Sequence, residues 1–116
     1  PGMLAAKREL FLVYSDAFSQ IDHLDLLKEP KQCQSNYWLQ ALLLDEEYSD
    51  QRDIILKATN DAGFMTRPVW TLMSELPAFK SCPQMDLDVA HFLSRRLINI
   101  PSSSWLVEGR SCLKQI

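Results

Sequence analysis

Over residues 4–21 the apolar side chains Leu4, Phe11, Tyr14, Phe18 and Ile21 fall on one stripe at helical spacing, and Lys7, Arg8 and Asp16 fall off it. This predicts an amphipathic helix. A stripe so rich in aromatics needs a large apolar surface, either the sheet of its own domain or another polypeptide. Residues 22–35 carry Pro30 and several charges and read as a connection, with a short strand at 24–27. Over 36–44 the composition turns to Tyr, Trp and a run of Leu; periodicity leaves strand and helix open there, and length and flanks decide for a strand. Ser49 is then placed as the N-cap of a helix over 50–62. Asp50 and Asp53 sit at its positive end, Ile54, Ile55, Ala58 and Ala62 form its apolar face, and Gly63 supplies a left-handed C-terminal cap.

Residues 64–70 read as a strand, which Pro68 assigns to a sheet edge or a strand end because proline cannot donate to a ladder. A helical turn over 71–79 ends near Pro77, and 81–84 are loop. Asp86 caps a helix whose Leu87, Ala90, Leu93 and Leu97 share a face, with Arg95 and Arg96 in its last turn. A final short strand at 97–100 stops at Pro101, and the tail over 102–116 has no strong period. These elements predict an α/β (α+β) domain in which helices cover a small, about three-stranded, mixed or antiparallel sheet.

The length, 116 residues, fits one domain over 1–116. A formal charge of −3 removes the general phosphate attraction on which nucleic-acid binders rely. The longest apolar run, 39–44, is broken by Gln40 and stops at Asp45-Glu46-Glu47, far short of the ~20 residues a membrane helix needs. Neither nucleic acid nor membrane is expected as a partner. Cys33, Cys82 and Cys112 are odd in number and widely spaced, with no CxxC, so free thiols and a cytoplasmic setting are expected. Pro1-Gly2 ahead of Met3 reads as a cloning remnant before a start methionine.

Catalytic motifs are sparse. The sequence contains no GxGxxG, Walker A, GxSxG or HExxH, and its three glycines leave little material for a phosphate-cradling loop. His23 and His91 stand alone in the sequence, and Asp45-Glu46-Glu47 reads as a solvated turn ahead of a helix. No metal site and no catalytic set is expected.

Four segments carry a resemblance. Lys7-Arg8-Glu9-Leu10 is followed by Ser35-Asn36-Tyr37-Trp38-Leu39, then by Gly63-Phe64-Met65-Thr66-Arg67-Pro68-Val69-Trp70 after an Arg52-Asp53 helix, then by Arg96-Leu97-Ile98-Asn99-Ile100-Pro101-Ser102-Ser103. In order and spacing they resemble the C-terminal small domain of the DegT/DnrJ/EryC1/StrS pyridoxal-phosphate sugar aminotransferases, in particular those that aminate 4-keto nucleotide sugars. The resemblance spans residues 4–103. It implies the small domain of a fold-type-I aminotransferase, with the cofactor lysine, the acid on the pyridinium nitrogen and most phosphate contacts supplied by a large N-terminal domain. None of Lys7, Lys28, Lys31, Lys57, Lys80 and Lys114 occupies the family's cofactor-lysine motif, so this chain alone is expected to bind no pyridoxal phosphate and to transaminate nothing.

The resemblance further implies substrate contacts from Asn36, Tyr37, Arg67 and Trp70, with a nucleotide sugar as ligand only in a complete enzyme, and packing in a homodimer whose leading contact is the aromatic stripe of the first helix. Arg67 offers a planar donor fork to a carboxylate or phosphate. The plainer assignment makes Arg67 a surface ion pair and gives Trp38 and Trp70 to core or interface packing. Two roles are open at this level: a portion of a sugar aminotransferase, or a free-standing, non-catalytic binding or assembly module of the same fold. An unrelated α/β interaction domain is a third.

Overall fold

Alternation along two central strands builds the core. In the computed structural model, which describes residues 2–108, Gln40, Leu42 and Leu44 of one strand are buried with Ile98 and Ile100 of its neighbour, while the residues between them are half-buried. The elements run α1 (Gly2–Phe18), β1 (Leu24–Leu26), β2 (Gln40–Leu44), a 3₁₀ segment (Glu46–Gln51) continuous with α2 (Arg52–Asp61), β3 (Arg67–Pro68), a second 3₁₀ turn (Met73–Glu75), α3 (Asp88–Ser94), β4 (Leu97–Ile100) and α4 (Trp105–Glu108). The sheet is fully antiparallel in the order β1-β2-β4-β3. Its four strands exceed the three expected because Leu24–Leu26 pairs along its whole length with β2, Leu24 opposite Leu44 and Leu26 opposite Leu42. The small helix-covered sheet read from the sequence is the architecture found.

One face of that sheet takes both major helices. Phe11, Tyr14 and Phe18 from α1 and Ile55 and Leu56 from α2 pack on Leu26, Leu42, Leu44, Ile98 and Ile100. Phe11, Tyr14 and Phe18 of the aromatic stripe of α1 therefore pack, partly buried, on their own domain. At the ends of the stripe Leu4 and Ile21 are exposed, whereas Leu10 is fully buried; α1 also meets α4, whose Val107 is buried. Helix α1 stops at Phe18, short of 21, because the Ser19 hydroxyl donates to the Asp16 carbonyl at 2.7 Å and the chain closes a tight turn.

Other boundaries shift for equally local reasons. Residues 36–39 are not strand: Ser35 Oγ and Asn36 Oδ1 accept from the N–H groups two residues on, at 3.0 Å each, and Tyr37 takes φ +46°. Ser49 caps no helix, since the chain enters 3₁₀ geometry at Glu46 with the Tyr48 N–H on the Asp45 carbonyl. Gly63 has the left-handed φ, +87°, that its capping position requires. The strand expected over 64–70 shrinks to Arg67–Pro68 because Thr66 is drawn onto the end of α2. Its hydroxyl lies 2.6 Å from that of Thr59, and the Asn60 amide donates to its carbonyl at 3.0 Å. Asp86 does accept from the first N–H of α3, that of Asp88, but the helix ends at Ser94, whose carbonyl Arg52 caps at 2.7 Å. Arg95 and Arg96 therefore follow the helix, and the Arg96 guanidinium lies 3.9 Å above the Phe92 ring centroid.

Among the described residues no helix is long and apolar enough to cross a membrane. Cys33 and Cys82 are exposed free thiols, and Cys112 lies outside the described residues.

Candidate functional site

Antiparallel pairing sets Arg67 opposite Asn99 and Pro68 opposite Ile98, so the short edge strand β3 and the exit of β4 frame one end of the sheet. An open cleft of about 520 Å³ lies there, with Leu39, Met65, Arg67, Trp70, Asn99 and Ser102 in its walls. Trp70 also lines a smaller neighbouring cleft of about 240 Å³ with Arg52, Glu75 and Ser94. Of the core or interface packing expected of the tryptophans, the core placement is overturned: Trp70 is 75% exposed and Trp38 61%. The two indoles meet at the rim, centroids 6.1 Å apart and planes tilted by 56°.

Arg67 stands on the edge strand, exposed, as its sequence context predicts. It forms no ion pair among the described residues. One terminal nitrogen, Nη1, donates to Asn60 Oδ1 and to the Thr66 carbonyl, both at 2.8 Å. Asn60 and the buried Thr66 thus hold the guanidinium from one side, and Nε and Nη2 form no hydrogen bond among the described residues. The arrangement is a preset donor fork in a cleft wall that also carries Trp70. Asn99 completes this corner by donating to the Pro68 carbonyl at 3.3 Å.

The structure brings Arg67 and Trp70 together and leaves Asn36 and Tyr37 outside the walls of the cleft. Asn36 is an exposed turn residue. Tyr37 is buried, with its ring stacked on Phe11 at 4.3 Å and the Arg8 guanidinium 5.4 Å from its centroid. Leu39, Met65, Asn99 and Ser102 were missed as wall residues; Leu39 lies just ahead of β2, and only the pairing of β2 with β4 makes it a neighbour of the β4 exit.

Three residues of α1 hold this region. Lys7 Nζ donates to the carbonyls of Ser102 (2.7 Å), Trp38 (3.2 Å) and Tyr37 (3.4 Å), and Ser102 Oγ donates to the same Trp38 carbonyl at 2.7 Å. Tyr14 donates its phenol to the Pro101 carbonyl at 2.8 Å, and burial pushes its pKa up. Arg8 grips Glu29 through both carboxylate oxygens at 3.1 Å and donates to the Ser35 carbonyl at 2.8 Å. The Arg8 hydrogen bond, helped by the Ser35 N–H, holds the Glu29 carboxyl below the usual carboxylate range.

A lowered folded-state pKa adds stability above the ordinary glutamate value, about 4.3, and loses it as pH falls through the lower folded value. Melting temperatures of the wild type and Glu29→Gln, recorded from pH 7 downward, are expected to differ at neutral pH and converge in acid. A gap that persists unchanged at pH 2 would contradict this assignment.

The described residues do not fit pyridoxal phosphate. No lysine lines either cleft, Lys7 is committed to three carbonyls, and Lys57 pairs with Asp61 at 2.5 Å.

The sequence profile of the DegT/DnrJ/EryC1/StrS aminotransferase family matches residues 1–110. No curated protein matches the chain. Among solved structures, the sugar aminotransferase CalS13 from Micromonospora echinospora is 20% identical with a TM-score of 0.76, the match covering 97% of this chain and 29% of CalS13. PseC of Helicobacter pylori, an aminotransferase involved in the biosynthesis of pseudoaminic acid, is 17% identical with a TM-score of 0.79, covering 96% of this chain and 32% of PseC. The E. coli GDP-4-keto-6-deoxy-D-mannose-3-dehydratase, solved with bound hydrated PLP, is also 17% identical at a TM-score of 0.79, covering 99% and 31%. At these identities the likeness establishes the fold. The chain spans about a third of the length of the proteins it matches.

Proposed function

The chain belongs to the DegT/DnrJ/EryC1/StrS aminotransferase family, and from that premise we propose that it acts as the C-terminal, small-domain part of a pyridoxal-phosphate-dependent nucleotide-sugar aminotransferase. In that role it forms one wall of the substrate cleft, and the cofactor lysine comes from a large domain. The observation that carries the reading is the cleft at the β3–β4 end of the sheet, where Arg67 presents unused donors beside the exposed Trp70 and Trp38. A guanidinium held from one side suits a carboxylate or phosphate, and open indole faces suit a sugar ring or a base.

Burial supports a part that packs against more protein. Among the described residues eight hydrophobic side chains are buried and nineteen large ones are exposed, an imbalance that leaves extensive apolar surface to cover. The radius of gyration, 16.0 Å, also exceeds the about 13 Å of a compact domain of this length. We assign part of that surface to a homodimer. With Phe11, Tyr14 and Phe18 packed on the sheet, the exposed large apolar groups on that helix are Met3, Leu4, Leu12 and Val13. Sedimentation is expected to show self-association in the micromolar range; a monomer throughout that range would contradict it.

Arg67→Ala tests the site. Arg67 is exposed and bonded only to neutral groups, so the change is expected to alter the stability of the domain by no more than about 0.5 kcal/mol. In a complete enzyme it should raise KM for the nucleotide sugar or the amino donor by about ten- to a hundredfold, the size of a lost charge-assisted hydrogen bond. A large loss of stability with unchanged kinetics would make Arg67 a structural residue.

A further inference from the structure

We infer that His23, Asp45 and Glu47 form a binding site for a divalent transition metal of the zinc type, beside the edge strand β1 and so at the sheet edge opposite the β3 edge that frames the cleft. His23 Nδ1 lies 3.3 Å from Asp45 Oδ2 and 3.7 Å from Glu47 Oε1, and one donor atom from each of the three falls within 4.8 Å of the others. Zinc binds imidazole nitrogen and carboxylate oxygen at about 2.0–2.2 Å, which puts neighbouring ligands in a tetrahedron about 3.4 Å apart. The two nitrogen–oxygen separations straddle that edge.

The sequence separates His23 from the two acids by more than twenty positions, and the fold closes the gap. The Asp45 N–H bonds to the His23 carbonyl at 2.9 Å, extending the β1–β2 ladder one step beyond Leu24 and Leu44, so His23 and Asp45 face one another across it. Glu47 follows in the 3₁₀ segment that starts there. The His23 ring is stacked on Tyr48, centroids 4.5 Å apart and planes 28° from parallel, which fixes the direction of its nitrogen toward the two carboxylates. Two carboxylates balance the charge of a divalent ion, and the exposure of all three side chains leaves room for water in the remaining position. An imidazole in the set favours zinc, cobalt or nickel over calcium and magnesium, which take oxygen ligands. A bound ion would tie the first turn of the 3₁₀ segment to the edge strand β1.

Cobalt(II) titrated into the full 116-residue chain and followed by its visible absorption, with zinc then displacing it, is the test. The expected result is one equivalent bound with nitrogen and oxygen ligation, and a rise in melting temperature with zinc. His23→Asn, which tolerates the left-handed backbone (φ +68°) of this position, should weaken binding at least tenfold and abolish the thermal shift. Asp45→Asn and Glu47→Gln should each weaken it as well. All three side chains are about half exposed or more, so the variants retain the fold. Unchanged affinity in His23→Asn, or a thiolate charge-transfer band showing that cysteine holds the ion, would overturn the assignment.

Discussion

Ile98→Ala is expected to destabilise the domain by about 3 kcal/mol, within the range of about 2–5 kcal/mol for emptying a buried aliphatic site. Ile98 is 1% exposed in β4, the strand that joins β2 to the edge strand β3, and stands opposite Leu42 on one side and Pro68 on the other. Truncation opens a cavity among Leu26, Leu42, Leu44 and Ile100. Main-chain hydrogen bonds pin the strand in register, so the cavity cannot collapse without breaking the ladder. Against a typical total of about 5–15 kcal/mol this is a large share. Urea unfolding should show a lower midpoint with an unchanged slope. Ile54→Ala, at a site 61% exposed, is the control and should stay within about 0.5 kcal/mol. A loss under 1 kcal/mol for Ile98→Ala would mean that the sheet does not organise the core.

The fold was largely legible because its signals are local. The periodicity of α1, the apolar face of α2 with Gly63 behind it, and the short β4 stopped by Pro101 each sit in one stretch of chain. What escaped was decided by tertiary contacts. Leu10 is fully buried although the aromatic stripe does not include it. Residues 36–39 have the composition of a strand, but Ser35 and Asn36 give the backbone a competing set of turn bonds.

The candidate site divided in the same way. Pro68 announced an edge strand and so located Arg67 correctly, because the reason is a missing donor in the chain itself. Tyr37 could not be separated from Trp38 by sequence, although α1 buries one and the fold leaves the other at the rim of the cleft. Nothing local pairs His23 with Asp45; that depends on the register of β1 against β2. The family motifs carried the functional reading beyond the point where the isolated residues stopped.

The second large effect concerns where the cofactor is held. Lys7 ties the carbonyls of Tyr37, Trp38 and Ser102 together, Lys57 is paired with Asp61, and Lys28, Lys31 and Lys80 lie exposed and away from both clefts. A cofactor lysine needs a pocket that seats the phosphate, and none of these lysines lines either cleft. The expected difference between this chain and one joined to a cofactor-binding domain is therefore all or none.

The measurement that bears most directly on the account is borohydride trapping of pyridoxal phosphate, read by peptide mass spectrometry and by transamination of a 4-keto nucleotide sugar. It is run on the 116-residue chain alone and on the same chain joined to a large domain of its family. The account predicts no single-site adduct and no turnover for the chain alone; in the joined protein, one adduct on the large domain's lysine and turnover whose KM rises with Arg67→Ala. A stoichiometric adduct on Lys7, Lys28, Lys31, Lys57, Lys80 or Lys114 of the isolated chain would contradict it.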